Sequence, residues 1–233
     1  MFINAAYQLG PEHPFPAAPK CAWDTLKWAA ANAKSFGADP SLGFVVGGTS
    51  SGGTLTAVLT HLARDEKLLP PLTGQYLAIP LLLAPAVVPE KYKKFYHSYE
   101  QNKNAPVLPQ AALDMFTKAY QPDEHDPLYV PLNHPKGHAD LPPAYFQVCG
   151  LDPLRDDALI YEMVLREEYG IETKLDIYPG LPHGFWTFFP KLKSADKFRG
   201  DMVECMGWLL GRKPEMYKIS NSGNKIRHYR SKL

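Results

Sequence analysis

Two adjacent serines stand in a glycine-rich turn of the 233-residue sequence, in the stretch VVGGTSSGGTL. The pentapeptide from Gly48 to Gly52 fits the pattern G-x-S-x-G, whose glycines permit a tight turn that lifts the central serine above a sheet. Ser50 is therefore a candidate nucleophile for acyl transfer. The backbone N–H of Ser51 is a candidate donor to the oxyanion of the tetrahedral intermediate, whereas the Ser51 hydroxyl needs no role.

A serine nucleophile needs a histidine base, and the base needs an acid that orients it. Asp152 directly follows a predicted strand that ends at Gly150, and His183 follows one that ends at Tyr178. Each residue alone has a simpler interpretation, since Asp152 could cap the next helix and His183 could be a polar turn residue. The chain order Ser50, Asp152, His183, with all three residues after strands, favours a catalytic triad.

The other histidines are weaker candidates for chemistry. His134 and His138 have i,i+4 spacing, but Pro135 and Gly137 lie between them and argue against a helical metal site. The remaining ones lie in a Pro-rich loop, on a surface-type helix or in an inserted segment: His13, His61, His97 and His125. We predict no metal and no cofactor.

The elements that must position these residues alternate between strands and helices. The predicted strands cover residues 2–7, 43–48, 75–83, 144–150 and 173–178. Two helical patterns begin near Trp23 and near Gly52, and three more cover residues 111–120, 155–169 and 194–210. Gly170 is the predicted C-cap of the helix at 155–169. Strands that alternate with helices predict an α/β fold, a mostly parallel sheet with helices on both faces.

Composition and charge exclude several classes of function. The length and the 45% hydrophobic content suit one globular domain. A formal net charge of +1 gives no general attraction to nucleic acid or to an anionic membrane. Three widely spaced cysteines, Cys21, Cys149 and Cys205, form no disulfide framework. The longest apolar stretch, residues 76–89, is interrupted by prolines and predicts no membrane span, and the N-terminus predicts no secretory signal.

Four stretches together resemble the hormone-sensitive-lipase-like branch of the α/β-hydrolases, which includes arylacetamide-deacetylase-type carboxylesterases. They are YQLGPEHPFPAA, GGTSSGG, GLDPLRDDALIYEMVLREE and YPGLPHGFW. The resemblance implies an α/β-hydrolase domain over residues 1–211, with the family's nucleophile, acid and base at Ser50, Asp152 and His183. It also implies a helical cap insertion at about 85–140. Aromatic residues of that insertion either line an acyl pocket or form the core of the cap: Tyr92, Phe95, Tyr96, Tyr99 and Phe116.

The sequence departs from the pattern of that branch at several places. Thr49 replaces the usual Asp before the nucleophile, and Gln8 and Gly10 alter the family's YRLAPE stretch. The H-G-G-G stretch, which precedes the segment matched by residues 2–8 and completes the oxyanion hole, is absent. We therefore expect the chain to begin after it, and strands 2–7 and 43–47 to pair directly or to leave backbone groups unsatisfied. A shortened gene model or fragment, a natural degenerate form and an enzyme with other oxyanion donors would each account for this.

Two functions from different classes remain open at this point. One is a serine hydrolase that cleaves carboxylic esters, or acyl thioesters such as acyl-CoA, through an acyl-enzyme. The other is a truncated, catalytically impaired remnant that acts as a binding protein. The cluster of Lys91, Lys93 and Lys94 has a possible role in binding CoA phosphates, but a solvated face is the simpler interpretation.

The tail at residues 212–233 is polar and basic and carries a separate signal. It ends in Ser231, Lys232 and Leu233, the S-K-L address that a peroxisomal import receptor recognises. This predicts a peroxisomal protein with that receptor as a partner. An esterase-like protein with this ending resembles hydrolases that fungi encode with toxin biosynthesis genes, notably those for epoxy-decatrienoic acid esters.

Overall fold

In the computed structural model of the chain, residues 1–212 are described. The targeting residues Ser231, Lys232 and Leu233 lie outside the described residues, so the peroxisomal address stays a prediction.

The centre of the fold is a parallel sheet of four strands in the order β1-β2-β3-β4. The strands are β1 (Val45–Thr49), β2 (Gly74–Ala78), β3 (Ala144–Leu151) and β4 (Thr173–Pro182). Every residue of β2 and the first six residues of β3 are buried, as expected for strands with both faces covered. The predicted α/β fold is confirmed.

Helices surround this sheet and are long where the sequence has an amphipathic pattern. The longer ones are α1 (Ala17–Asn32), α2 (Ser51–Asp65), α5 (Gln110–Tyr120), α6 (Arg155–Met163) and α8 (Lys193–Leu209). Single-turn helices are α3 (Glu90–Lys93), α4 (Ser98–Gln101) and α7 (Phe185–Phe188). Short 3₁₀ turns cover Ala33–Phe36, Pro40–Leu42, Pro85–Val87 and Pro131–Asn133.

The two faces of the sheet bury separate apolar clusters. Leu77 of β2 and Phe146 of β3 pack in one cluster with residues of α2 and α6. Their neighbours Tyr76 and Tyr145 face the opposite way and pack in a second cluster with residues of α8. Because successive strand residues point to opposite faces, this alternation places helices on both sides of the sheet.

The first predicted strand is wrong. Residues 2–7 form no strand, and Met1, Phe2 and Ile3 are exposed. Within residues 1–212, β1 pairs with β2 alone and is an edge strand, so the expected direct pairing with residues 2–7 does not occur. A strand forms when its backbone groups pair with a neighbour, and residues 2–7 have no ladder partner in the described part of the chain.

Two other predicted elements end earlier than the apolar pattern. Strand β2 ends at Ala78 and not at Leu83, because Ile79 takes a positive φ of 44° and Pro80 follows it. The α-helical part of the predicted helix 155–169 ends at Met163, and a π-helical turn follows it over Val164–Glu168. Gly170 has a φ of +65°, so its predicted left-handed conformation after the helix is present.

The prediction that His61 lies on a surface-type helix is also wrong. The His61 ring is 1% exposed, and its Nε2 lies 2.9 Å from Nδ1 of His138. His134 stacks on His61 with ring centroids 4.4 Å apart. The segment between β2 and β3 covers this face of α2, which local periodicity within the helix does not reveal.

We expect this histidine pair to make stability depend on pH. Burial lowers the pKa of His138 to about 4 and holds that of His61 well below its ordinary value. In the unfolded chain these side chains take up protons near pH 6.5, so the contribution of the two histidines to the unfolding free energy is largest above about pH 7 and decreases as the pH falls towards 4. For His138 alone the loss at pH 5 amounts to about 2 kcal/mol.

The measurement is urea unfolding of the protein and its His138→Asn variant at a series of pH values from 7.5 to 4.5. The variant should show the smaller fall in unfolding free energy between pH 7 and pH 5. His125→Asn, at an exposed histidine, is the control and should follow the unchanged protein. Equal slopes for all three proteins would contradict the assignment of this pH dependence to the buried pair.

Candidate active site

Ser50 occupies a sharp turn between β1 and α2. Its backbone has φ 56° and ψ −119°, a conformation that is unusual for a residue with a side chain. The Ser50 N–H donates to the carbonyl of Ala78 at the end of β2, and the Ser50 carbonyl accepts from the N–H of Thr54. These bonds hold the turn in the strained form that exposes the Ser50 side chain at the carboxyl end of the sheet.

The glycines of the turn have different roles. A Cβ at Gly48 would lie 2.4 Å from the backbone of Gly52, so this position accepts no side chain without moving the turn. A Cβ at Gly52 would meet nothing within 4 Å. The close approach of two backbone segments therefore explains the first glycine of the G-x-S-x-G pattern, whereas the last one is free of this constraint.

We expect Gly48→Ala and Gly52→Ala to have opposite effects on stability. Gly48→Ala forces a backbone clash and should lower the unfolding free energy by about 3 kcal/mol. Gly52→Ala places a better helix former in the first turn of α2 and should raise it by up to about 1 kcal/mol. Denaturant unfolding of both variants measures this, and equal destabilisation by the two would show that the turn tolerates a Cβ at neither position.

Asp152 and His183 follow the neighbouring strands β3 and β4. Gly150 lies in a bulge of this strand pair, and a Cβ there would lie 2.9 Å from the backbone nitrogen of Gly180. The close approach brings the ends of the two strands together. Strand β4 runs on to Pro182, four residues beyond the predicted end at Tyr178, and so delivers His183 directly beside Asp152.

The structure brings the three predicted residues together in one hydrogen-bonded chain. Nε2 of His183 lies 3.0 Å from Oγ of Ser50, and Nδ1 of His183 lies 2.7 Å from Oδ2 of Asp152. Asp152 is 1% exposed and His183 is 8% exposed. The second carboxylate oxygen of Asp152 accepts from the N–H of Leu154 at 2.9 Å, so the acid also stabilises its own turn. It does not cap the next helix, because the N-cap residue of α6 is Leu154 and no side chain caps this helix. This arrangement can deprotonate a serine hydroxyl and stabilise the imidazolium that results.

Ser51 is the first residue of α2, directly after Ser50. Its hydroxyl lies 2.8 Å from the hydroxyl of Tyr7, which comes from the N-terminal segment. The sequence does not reveal this contact of Tyr7. The apolar pattern predicts a strand for its segment, and no sequence motif links Tyr7 to a turn 44 residues away. The Ser51 hydroxyl thus has a partner, although the predicted function of this residue depends on its backbone N–H alone.

The aromatic residues of the predicted cap insertion lie in different surroundings. The hydroxyl of Tyr92 donates to Glu168, and Tyr96 packs against the apolar cluster that contains Leu77 and Phe146. Tyr99 belongs to a small cluster with Leu108, Leu113 and Leu154. Phe95 and Phe116 are exposed. Tyr92 and Tyr96 therefore pack in the apolar core on one face of the sheet, and Tyr99 packs in a small cluster beside Leu154. A surface groove of about 730 Å³ borders α1 and contains none of the three triad residues.

A second buried aspartate lies close to the triad, and sequence reasoning did not single it out. The Asp157 carboxyl is fully buried, and its Oδ2 accepts from the N–H groups of Leu82 and Leu83 at 2.9 Å. Burial raises the pKa of this carboxyl to about 8, although the two backbone donors act in the opposite direction. Among the described residues, its Oδ1 and the Tyr96 hydroxyl are both buried and have no hydrogen-bond partner. The raised pKa favours the neutral form of this carboxyl, and its two hydrogen bonds to Leu82 and Leu83 support the loop after β2.

Residues 1–212 contain neither a metal-binding cluster nor a membrane-spanning helix. In residues 1–212, no group of three or more His, Cys, Asp or Glu side chains is arranged to hold a metal ion. No helix in the same range has the length and apolar character required to cross a bilayer. The three cysteines are free thiols, two of them buried.

Comparison with known proteins identifies the family. The sequence model of a family described as alpha/beta hydrolase fold matches residues 1–187. This chain belongs to the α/β-hydrolase family. The hormone-sensitive-lipase-like branch that the four sequence stretches indicated is confirmed. Ser50, Asp152 and His183 therefore lie at the carboxyl ends of parallel strands, where the α/β-hydrolase fold places a catalytic triad.

Individual relatives agree with this assignment. An AB hydrolase superfamily protein of Schizosaccharomyces pombe is 43% identical over 208 residues, which cover 89% of this chain and 61% of the relative. A versiconal hemiacetal acetate esterase of Dothistroma septosporum is 35% identical over 90% of this chain and 64% of its own length. The crystal structure of a vibralactone cyclase superimposes with a TM-score of 0.85 at 43% identity, over 90% of this chain and 62% of that one. This α/β-hydrolase chain thus spans less than two thirds of the length of these relatives.

Proposed function

We propose that the protein is a serine hydrolase that cleaves carboxylic esters through an acyl-enzyme. The observation that carries the proposal is the continuous hydrogen-bonded chain from Ser50 through His183 to the buried Asp152. A chance meeting of polar turn residues does not explain this arrangement, in which one imidazole contacts a serine on a strained turn with one nitrogen and a buried carboxylate with the other. The esterase among the relatives supports the same reaction class.

Each residue of the triad has one task in this reaction. His183 Nε2 takes the proton of Ser50 as Oγ attacks the ester carbonyl carbon, and then delivers that proton to the leaving alcohol. Asp152 holds Nδ1 of His183 as the protonated nitrogen and stabilises the imidazolium. The N–H of Ser51 donates to the oxyanion. A water molecule, deprotonated by His183, then attacks the acyl-enzyme and releases the acid and the free Ser50 hydroxyl.

The lysines of the insertion favour an ester over an acyl-CoA thioester. Lys91 pairs with Glu168 and Lys93 pairs with Glu90, so two of the three lysines already have carboxylate partners and are less available to CoA phosphates. Lys94 lies over the ring of Phe95. The proposed substrate is therefore an ester without a CoA group. A secondary metabolite is the proposed source of this ester, because the relative of Dothistroma septosporum is named a versiconal hemiacetal acetate esterase.

A fluorophosphonate probe tests the proposal, because it reacts covalently only with an activated serine. The purified 233-residue chain is labelled, digested and analysed by mass spectrometry, and hydrolysis of p-nitrophenyl acetate, butyrate and octanoate is followed in parallel. We expect the label on the peptide that contains Ser50, together with turnover of at least one ester. A folded chain that takes no label and hydrolyses no ester would overturn the proposal and favour the binding-protein alternative.

A further inference from the structure

The acid turn, residues 152–156, is attached to a short segment of the insertion between β2 and β3. Asn102 is 8% exposed, and its Nδ2 donates to the backbone carbonyl of Asp152 at 3.0 Å. The same aspartate uses its carboxylate for His183 and for the N–H of Leu154. The backbone and the side chain of the catalytic acid are therefore both held by hydrogen bonds, and its carbonyl accepts from Asn102 and also from the N–H of Arg155 at 3.1 Å.

Ser98 makes a second attachment one helical turn away. Its hydroxyl donates to the carbonyl of Pro153 at 2.8 Å and accepts from the N–H of Asp156 at 3.0 Å. Ser98 is 0% exposed, so neither bond is exchanged with solvent in the folded protein. One hydroxyl thus connects the middle and the end of the acid turn to α4.

The acid turn in turn fixes the start of α4. Oδ2 of Asp156 accepts from the N–H groups of His97 and Ser98, each at 2.7 Å. Burial of the Asp156 carboxyl opposes ionisation, but the bonds from Arg155, His97 and Ser98 outweigh it and lower the pKa. Arg155 pairs with Asp156 and also donates to Gln101. The two segments therefore hold each other, and neither can shift without breaking buried bonds.

We propose that Asn102 and Ser98 are positioning residues for the catalytic acid, acting through the backbone of the acid turn on the contact between Asp152 and His183. The inference rests on the proposed hydrolase function and assigns it a further pair of residues. Four helical residues alone would be too short to stay folded. If α4 moved away from the acid turn, the buried donors and acceptors of both segments would lose their hydrogen-bond partners. This cost explains why α4 lies against the turn.

The expected consequence of removing these donors follows from the geometry. Without the Asn102 amide, the buried carbonyl of Asp152 keeps only the N–H of Arg155, at 3.1 Å, as a donor among the described residues, and the turn gains freedom to move towards water. A shift of about 1 Å in a catalytic group can cost about 10²-fold in rate. Since the 2.7 Å contact with His183 is retained by the carboxylate itself, we expect a smaller loss of about 10-fold in kcat for Asn102→Ala.

The experiment compares Asn102→Ala, Ser98→Ala and their double variant with the unchanged protein. Steady-state hydrolysis of the best p-nitrophenyl ester gives kcat and KM, and proton NMR records the downfield signal of the His183 Nδ1–H. We expect each single variant to lose about 10-fold in kcat with KM within about 2-fold, and the NMR signal to broaden or move upfield. The double variant should lose less than the product of the single losses, because both residues act on one turn.

Asn104→Ala is the matched control, since Asn104 is exposed in the same segment. It should leave kcat and the NMR signal unchanged. Asn102→Asp, which keeps the shape and lacks the amide donor, is the second variant if Asn102→Ala is insoluble. Lower stability with an unchanged kcat per folded molecule and an unchanged NMR signal would overturn the inference, as would a change in KM alone. Failure of the unchanged protein to react with the fluorophosphonate probe would instead refute the proposed function.

Discussion

Ser50→Ala should lower kcat for ester hydrolysis by at least about 10⁴-fold, whereas Ser51→Ala should change it by less than about 5-fold. The first substitution removes the only oxygen within hydrogen-bond distance of His183 Nε2 among the described residues. The second keeps the backbone N–H that the mechanism needs and removes only the hydroxyl that contacts Tyr7. The two variants thereby distinguish the side-chain role proposed for Ser50 from the backbone role proposed for Ser51.

The measurement is steady-state hydrolysis of a p-nitrophenyl ester, together with the rate of fluorophosphonate labelling. Ser50→Ala should not be labelled, and Ser51→Ala should be labelled at close to the unchanged rate. Circular dichroism of both variants checks that each is folded. If Ser51→Ala lost as much activity as Ser50→Ala, the Ser51 hydroxyl would have a catalytic task that the geometry does not assign to it.

The triad was predictable from the sequence because each member carries a local signal. Ser50 lies in a G-x-S-x-G turn between a strand and a helix, and Asp152 and His183 follow recognisable strands. Parallel strands bring their carboxyl ends to one edge of the sheet, so residues far apart in sequence meet there. Order along the chain then assigned the acid and the base without any knowledge of distances.

The remaining features depend on contacts that no local pattern encodes. Residues 2–7 are apolar enough for a strand, but strand formation needs a partner, and the described chain provides none. His61 has polar neighbours on its helix and is covered by a loop 77 residues away at His138. The attachment of Asn102 to Asp152 joins an irregular insertion to a turn after β3. Tertiary packing decides all three.

Two buried aspartates five positions apart should respond differently to the same substitution. Asp152→Asn should lower kcat by about 10⁴-fold, because an amide cannot both accept from His183 Nδ1–H and stabilise the imidazolium. Asp157→Asn should leave kcat/KM within about 3-fold. The Asp157 carboxyl has a pKa raised to about 8 by burial, and an amide resembles its neutral form. The amide oxygen can still accept from the N–H groups of Leu82 and Leu83.

Both variants are measured at pH 7 with the same ester, and their unfolding free energies are compared in urea. Asp157→Asn should also keep its stability, since the new amide nitrogen can donate to the buried Tyr96 hydroxyl oxygen, which has no other partner in the described residues. A large loss of activity in Asp157→Asn would mean that its ionised form takes part in catalysis. A small loss in Asp152→Asn would mean that another group orients His183. Because the two carboxyls are equally buried, burial alone cannot produce the expected contrast, and only the contact with His183 distinguishes them.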